Sequence, residues 1–268
     1  MNSHILSADR VSAGYDSKKI ISDISLTIPD KKITVIIGAN GCGKSTLLKS
    51  FSRLITPSQG HVLLDGKNIS ALPPKQVAQN LGLLPQSPMA PNGIKVTDLV
   101  ARGRFPYRQF MKTMTSHDFQ AVEEAMEIMG ITKLADRSID ELSGGQRQRV
   151  WIALALAQQT DILLLDEPTT FLDISYQIEI LDLLTDLNRK KMTTIVMVLH
   201  DINLSARYAD YLFAMKRGSL AAQGHPKEII TPELMKEIYG LDCMVTEDPV
   251  SLTPLIVPKG RHHLKTAL

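Results

Sequence analysis

Residues 32–46, "KITVIIGANGCGKST", run an unbroken apolar strand straight into a glycine-rich turn that ends in lysine, serine and threonine. Gly38, Ala39, Asn40, Gly41, Cys42, Gly43, Lys44 and Ser45 fit the pattern G-x-x-x-x-G-K-[ST], and Thr46 follows directly. Glycines at these places let backbone N–H groups wrap a row of phosphates. Lysine then reaches the β- and γ-phosphates, and the Ser45 hydroxyl is placed to ligate Mg²⁺. A chance turn would rarely combine lysine and hydroxyl at a strand-to-helix junction. The helix that follows, read over "STLLKSFSRLI", puts Leu47, Leu48, Phe51, Leu54 and Ile55 on one face.

The same unit recurs outward from this point. "DILLLDE" at 161–167 precedes the helix "ISYQIEILDLLTDLNRK", and "TTIVMVLHD" at 193–201 precedes "INLSARYADY". These strands are apolar throughout rather than alternating, as expected of parallel strands covered by helices on both faces. The core reads as α/β and doubly wound, with ligands at the C-terminal ends of the strands. Between Pro88 and Gln158 the pattern changes. "TSHDFQAVEEAMEIMG" at 115–130 has helical periodicity and no strand of similar strength intervenes, so this segment reads as a helical subdomain inserted into the core. "SLTPLIVP" at 251–258 reads as a short edge strand.

Of the 268 residues, 44% are apolar and 22% charged, and 30 basic side chains against 28 acidic leave a net charge of +2. That is an ordinary globular composition, with no electrostatic case for nucleic acid as a partner. Two cysteines, Cys42 and Cys243, cannot make a secreted-type disulfide framework and read as reduced thiols of a cytosolic chain. "MNSHILSADR" lacks an export pattern, and runs such as "WIALALA" are too short to cross a bilayer. Any membrane role is expected to come through a partner. The basic tail "PKGRHHLKTAL" reads as a solvated terminus.

Several polar residues fall where the strands end. Two adjacent carboxylates closing the buried run "DILLLDE" are costly without a cation or a strong partner. Successive side chains leave a strand on opposite sides, so Asp166 would hold the Mg²⁺ shell while Glu167 orients and polarises an attacking water. His200 closes "VMVLHD" at the same edge and would contact both the γ-phosphate and Glu167. Gln86, after "LGLLP", could touch the metal and the water, or be an ordinary loop glutamine. Tyr15, in "SAGYDS", could stack on an adenine ring or sit in a surface turn.

A second anion cradle lies at 142–149, "LSGGQRQR". Ser143 can cap a helix that opens at Gly144, Gly145 and Gln146, where free N–H groups and the helix dipole attract anions. If one nucleotide already fills the first loop, this one must serve something else. A two-fold dimer in which each chain's "LSGGQ" covers the γ-phosphate held by its partner is the economical solution. The alternative is a plain helix cap.

Taken together, Tyr15, the phosphate loop, Gln86, "LSGGQ", "LLLDEP", the "FLD" at 171–173 and His200 resemble, in order and spacing, the ATP-binding subunits of ABC transporters. The resemblance implies a P-loop NTPase (RecA-like) core with a mostly parallel sheet, antiparallel strands at the N-terminus and the helical insertion. It places an ATP-binding domain at 4–240 (core 4–88 and 158–230, helical subdomain 89–157) and a C-terminal extension at 241–268. It also implies ATP and Mg²⁺ as cofactors, with Asp173 in a loop that communicates between two sites. "GCGKSTLLKSFSRLITP", "LLPQSPMAP", "DLVARGRFPY", "ELSGGQRQRVWIALALAQ", "DEPTTFLDISYQIEILDLL", "VLHDINLSARYAD" and "EDPVSLTPLIVP" are similar, more narrowly, to the ATPases of iron–siderophore importers.

In that family two ATPase copies, peripheral on the cytoplasmic side of the inner membrane, drive two integral-membrane permease subunits fed by a binding protein. The permease would dock around residues 87–110. The ferric catecholate (enterobactin) type is favoured, with ferric hydroxamate, ferric dicitrate, haem or cobalamin as alternatives. Two departures stand out: Ala39 replaces an expected proline, and Leu252 stands where the tail motif has glycine. Competing readings fit less well. A soluble ABC ATPase acting on DNA or ribosomes would carry paired domains or a long insertion, a switch GTPase would need N-K-x-D, and an exporter ATPase shares the chemistry but not the overall likeness.

Overall fold

The computed structural model describes residues 4–16, 18–108, 113–170 and 172–260. The N-terminal part supplies strands β1 (Leu6–Tyr15), β2 (Lys18–Thr27), β3 (Ile33–Gly38), β4 (Gln59–Leu64), β5 (Lys67–Asn68) and β6 (Leu81–Leu84), with helices α1 (Lys44–Phe51) and α2 (Pro74–Asn80). Then come α3 (Val96–Ala101), a 3₁₀ turn at Arg102–Tyr107, α4 (Ser116–Ile128) and α5 (Gly144–Ala157), with no strand among the described residues of that stretch. The remainder is β7 (Ile162–Asp166), α6 (Ile174–Lys191), β8 (Thr194–Val198), α7 (Ile202–Tyr208), β9 (Tyr211–Lys216), β10 (Ser219–Gly224), α8 (Pro226–Ile229), α9 (Pro232–Tyr239), β11 (Cys243–Glu247) and β12 (Pro254–Pro258).

The central sheet has the order β10-β9-β3-β8-β7-β6, parallel from β9 to β6 and closed at one edge by antiparallel β10. Its inner strands are buried at every position, and alternate residues feed two separate cores. Val35 and Ile37 of β3, Leu163 and Leu165 of β7, and Ile195 and Met197 of β8 face one apolar cluster, which continues without a break into α3, α4 and α5. Ile36, Leu164, Val196 and Val198 face the other. Burial on both faces is why these strands carry no polar alternation.

The second face corrects one expectation. It is covered not by helices alone but by α1 together with a four-stranded antiparallel sheet, β2-β1-β4-β5. The expected antiparallel N-terminal strands make up that layer. The first helix is also shorter than its periodicity suggests. It stops at Phe51, Arg53 turns left-handed at φ 63°, and its guanidinium donates to the Leu72 carbonyl at 2.8 Å. Leu54 is therefore exposed, while Ile55 still reaches the core.

Local signals account for the other helices. Thr115 and Asp118 form a reciprocal capping box that starts α4. Residues 254–258 do form a strand, with a proline at each end, but it pairs with β11 in a hairpin of its own. Leu252, in the turn of that hairpin, adopts φ 58°, the conformation in which glycine costs least. That hairpin is fastened to α7: Asn203 exchanges hydrogen bonds with the backbone of Ile256, and Arg207 pairs with Asp248.

Candidate nucleotide site

The phosphate loop leaves β3 at Gly38 and enters α1 at Lys44, with Gly38, Gly41 and Gly43 all at positive φ. At Gly38 a Cβ would lie 2.4 Å from the Met215 carbonyl oxygen, so only glycine lets the chain turn here. The loop is held from outside: Gly38 N–H donates to the Tyr239 hydroxyl at 2.8 Å, and Gly218 N–H donates to the Cys42 carbonyl at 2.9 Å. Lys44 is buried, and its ammonium donates to the carbonyls of Gly38 (2.8 Å) and Ala39 (3.2 Å). A buried lysine satisfied only by neutral carbonyls is poised for a stronger, anionic acceptor.

Across from the loop, the Ser45 hydroxyl donates to Asp166 Oδ1 at 2.9 Å. The other oxygen, Oδ2, is buried and has no hydrogen-bond partner among the described residues. Burial pushes the Asp166 carboxyl above its ordinary range, against the pull of the Ser45 hydroxyl. An orphaned carboxylate oxygen beside a serine hydroxyl is an all-oxygen donor set that suits a hard divalent cation such as Mg²⁺.

The next residue departs from the strand. Glu167 takes φ 56°, a costly conformation for a non-glycine residue. Its Oε1 lies 2.6 Å from His200 Nε2, and its Oε2 accepts from Gln86 Nε2 at 2.7 Å and from the Thr170 hydroxyl at 3.0 Å. Glu167 is buried, while nearly half of the His200 side chain is exposed. A cavity of about 210 Å³ opens beside them, walled in part by Thr169, Thr170, Gln177 and Leu204. Lys44, Ser45, Gln86, Asp166, Glu167 and His200 thus meet at the C-terminal edge of the sheet, where a doubly wound core binds ligands.

The remaining residues of interest lie apart from this cluster. Tyr15 ends β1 half-exposed, with the Lys49 ammonium 5.9 Å from its ring centre and 3.4 Å from its hydroxyl. Ser143 caps α5 by accepting from Gln146 N–H, and the Gln146 side chain accepts from Ser143 N–H, so within one chain the plain-cap reading is what the serine does. Ser143 and Gly144 are exposed, and Gly145 packs against the Tyr176 ring. No hydrogen bond among the described residues joins 143–146 to the phosphate loop. The same helix is fixed to the loop after Glu167, since Gln148 Nε2 donates to the Pro168 carbonyl at 2.7 Å. Asp173 sits exposed at the N-cap of α6 without a side-chain capping bond, and Phe171, its neighbour in "FLD", lies outside the described residues.

Two contacts in the site were not expected from sequence. Tyr239 is 201 residues from the glycine it holds, and nothing local marks it. Thr170 is closer, three residues beyond Glu167, and a hydroxyl residue next to an acidic pair was a usable signal.

The family model "ABC transporter" matches residues 21–170. The ferric enterobactin transport ATP-binding protein FepC of Escherichia coli (strain K12) is 52% identical over 98% of this chain and 97% of its own. The petrobactin import ATP-binding protein FpuD of Bacillus anthracis is 46% identical over 96% and 94%. Among solved structures, cbiO1 from Clostridium perfringens, part of the ABC transporter complex cbiONQ, superposes with a TM-score of 0.76 at 30% identity, covering 88% of this chain and 94% of that one. The ATP-binding cassette MJ0796, a dimer in a post-hydrolysis state bound to ADP and Pi, gives 0.72 at 26% identity over 82% and 98%.

Proposed function

The chain belongs to the ATP-binding subunits of ABC transporters and is an ATPase of that kind, and from this premise we propose that it energises the import of a ferric siderophore. The single observation that supports the chemistry best is the meeting of Lys44, Ser45, Gln86, Asp166, Glu167 and His200 at one sheet edge, with an orphaned carboxylate oxygen at its centre. The cargo is argued from the relatives, which are named for enterobactin and petrobactin. A catecholate such as ferric enterobactin is favoured, and hydroxamate, dicitrate, haem and cobalamin are the alternatives.

Each residue takes one task in this reading. The loop N–H groups from Gly38 to Thr46 wrap the phosphates, Lys44 exchanges its two carbonyl acceptors for β- and γ-phosphate oxygens, and Tyr15 stacks on the adenine. Ser45, Gln86 and Asp166 would hold Mg²⁺, which when bound neutralises charge on the phosphate oxygens. Gln86 suits a bridging place because an amide can offer its oxygen to a cation while its NH₂ still donates to Glu167. Glu167 orients the attacking water and takes its proton, and His200 holds Glu167 and the γ-phosphate in register. Phosphoryl transfer asks for little else beyond positioning and charge stabilisation.

The proposed working unit is a dimer in which Ser143, Gly144, Gly145 and Gln146 of one chain cover the nucleotide of the other and Asp173 links the two sites. Cassettes of this family are found as dimers and within transporter complexes. Residues 4–240 would form the ATP-binding domain, with core segments 4–88 and 158–230 and a helical subdomain at 89–157, and 241–268 an extension. Two permease subunits would dock around 87–110, where Met89 and Phe105 stand 92% and 76% exposed; residues 109 and 110 lie outside the described residues. No helix among the described residues is long and apolar enough to cross a membrane. In this reading the chain sits peripherally on the cytoplasmic face through the permease, with a substrate-binding protein on the far side.

Glu167→Gln should leave ATP binding intact, trap a closed dimer on size-exclusion with Mg-ATP, and slow hydrolysis by about 100-fold or more. Co-expressed with its permease, the parent chain should support ⁵⁵Fe-siderophore uptake and the variant should not. Parental turnover by Glu167→Gln would overturn the assignment of the base. Uptake indifferent to the chain would overturn its role in import.

A further inference from the structure

The carboxylate of Glu167 is held unevenly, and the unevenness points to Thr170. A carboxylate only accepts, so each of its three neighbours must donate. Gln86 and Thr170 both donate to Oε2, while Oε1 meets His200 alone. Oε2 is thereby saturated, and Oε1 keeps a lone pair for one further donor, such as a water in the adjoining cavity.

We propose that Thr170 is a positioning residue for hydrolysis: its hydroxyl pins Oε2 of Glu167 so that Oε1 is the oxygen presented to the attacking water. The inference rests on the reading of Glu167 as the base. Thr170 suits the task because it is fixed twice. Its backbone N–H donates to the Glu167 carbonyl at 3.3 Å, closing a four-residue turn, and its hydroxyl closes the same turn at 3.0 Å. The turn departs from a left-handed Glu167, so without the side-chain bond nothing within it opposes rotation of the carboxylate. Gln86 comes from 81 residues away and has a cation to serve, whereas Thr170 moves with Glu167 itself.

Thr170→Val keeps the shape and removes the donor, and Thr170→Ser keeps the donor and removes a methyl. Steady-state ATP hydrolysis by the full chain should show kcat about tenfold lower for the valine variant, the worth of one hydrogen bond, with KM and the affinity for Mg-ATP unchanged. Serine should restore kcat to within about twofold, on the same estimate. A purely structural threonine would instead lower the melting temperature without this split. Parental kcat for Thr170→Val, a matching loss of nucleotide affinity, or failure of serine to rescue would each overturn the proposal. Measuring Glu167→Gln alongside keeps the two readings distinguishable: parental turnover by both variants would overturn the base assignment and the positioning with it, whereas parental turnover by Thr170→Val beside an impaired Glu167→Gln would overturn the positioning alone.

Discussion

Two of the places where this molecule buries charge do so in opposite ways. At the 3₁₀ turn, Arg104 is 1% exposed and each of its three nitrogens has a partner, Nη2 lying 3.4 Å from His117 Nδ1. It donates to Asp118 at 2.8 Å, to the Ala157 carbonyl at 2.8 Å and to Gln159 Oε1 at 3.1 Å, and it stacks on the Tyr107 ring at 4.0 Å. Asp118 also accepts from the N–H and hydroxyl of Thr115. At the sheet edge, Asp166 keeps a buried oxygen with no partner and Lys44 rests on backbone carbonyls. Where every donor and acceptor is matched, buried charge locks chain segments together. Where one is left over, the site is built for something that arrives later.

The contrast is broken most sharply by removing one side of the matched pair. Arg104→Met should strand a buried carboxylate and cost about 3–5 kcal/mol in urea unfolding, and adding Asp118→Leu should recover most of that. The pH dependence has a definite sign. Burial alone would raise the Asp118 carboxyl, but the Thr115 donors and Arg104 together bring it down to about 2. Its contribution is therefore complete above the usual carboxylate range near pH ~4 and is lost as pH falls through about 2. Unfolding midpoints should drop across that window by less in Asp118→Asn than in the parent, the remainder coming from other carboxylates such as Asp248.

The open site should respond the other way. Asp166→Asn removes a buried charge that is only partly compensated and should raise stability in nucleotide-free protein by about 1–2 kcal/mol, seen as a higher melting temperature, while Mg²⁺-dependent hydrolysis is lost. Destabilisation by this variant would mean that Oδ2 is not truly orphaned. The smallest effect is expected at Tyr239→Phe, which leaves Gly38 N–H without its acceptor. It should cost about 1 kcal/mol and weaken ATP affinity several-fold by isothermal titration.

Legibility in the sequence followed the same divide between local and distant causes. The strands β3, β7 and β8 could be read because burial on both faces leaves them almost wholly apolar, and α4 because its sequence has helical periodicity. The phosphate loop and the acidic pair are contiguous motifs, so Lys44, Ser45, Asp166 and Glu167 were visible at once. The length of α1 was not, because it is ended by Arg53 reaching to Leu72 rather than by a breaker in its own sequence. Nor did β1 show a clean alternation, since bulges between Ala8 and Gly14 shift its register and so its faces. Tyr239 acts through a contact that exists only once the chain has folded, whereas Thr170 lies within three residues of its partner and could have been noticed.

The hold of Tyr239 on Gly38 also bears on where this protein can be cut. Strand β3, which launches the phosphate loop, is flanked by β8 and β9, and both lie beyond residue 170, where the family match ends. A fragment trimmed to 21–170 would therefore keep the glycines and the lysine but expose both edges of the strand that aims them. Truncation between residue 170 and the end of β9 should abolish nucleotide retention while leaving every recognisable motif of the phosphate loop in place.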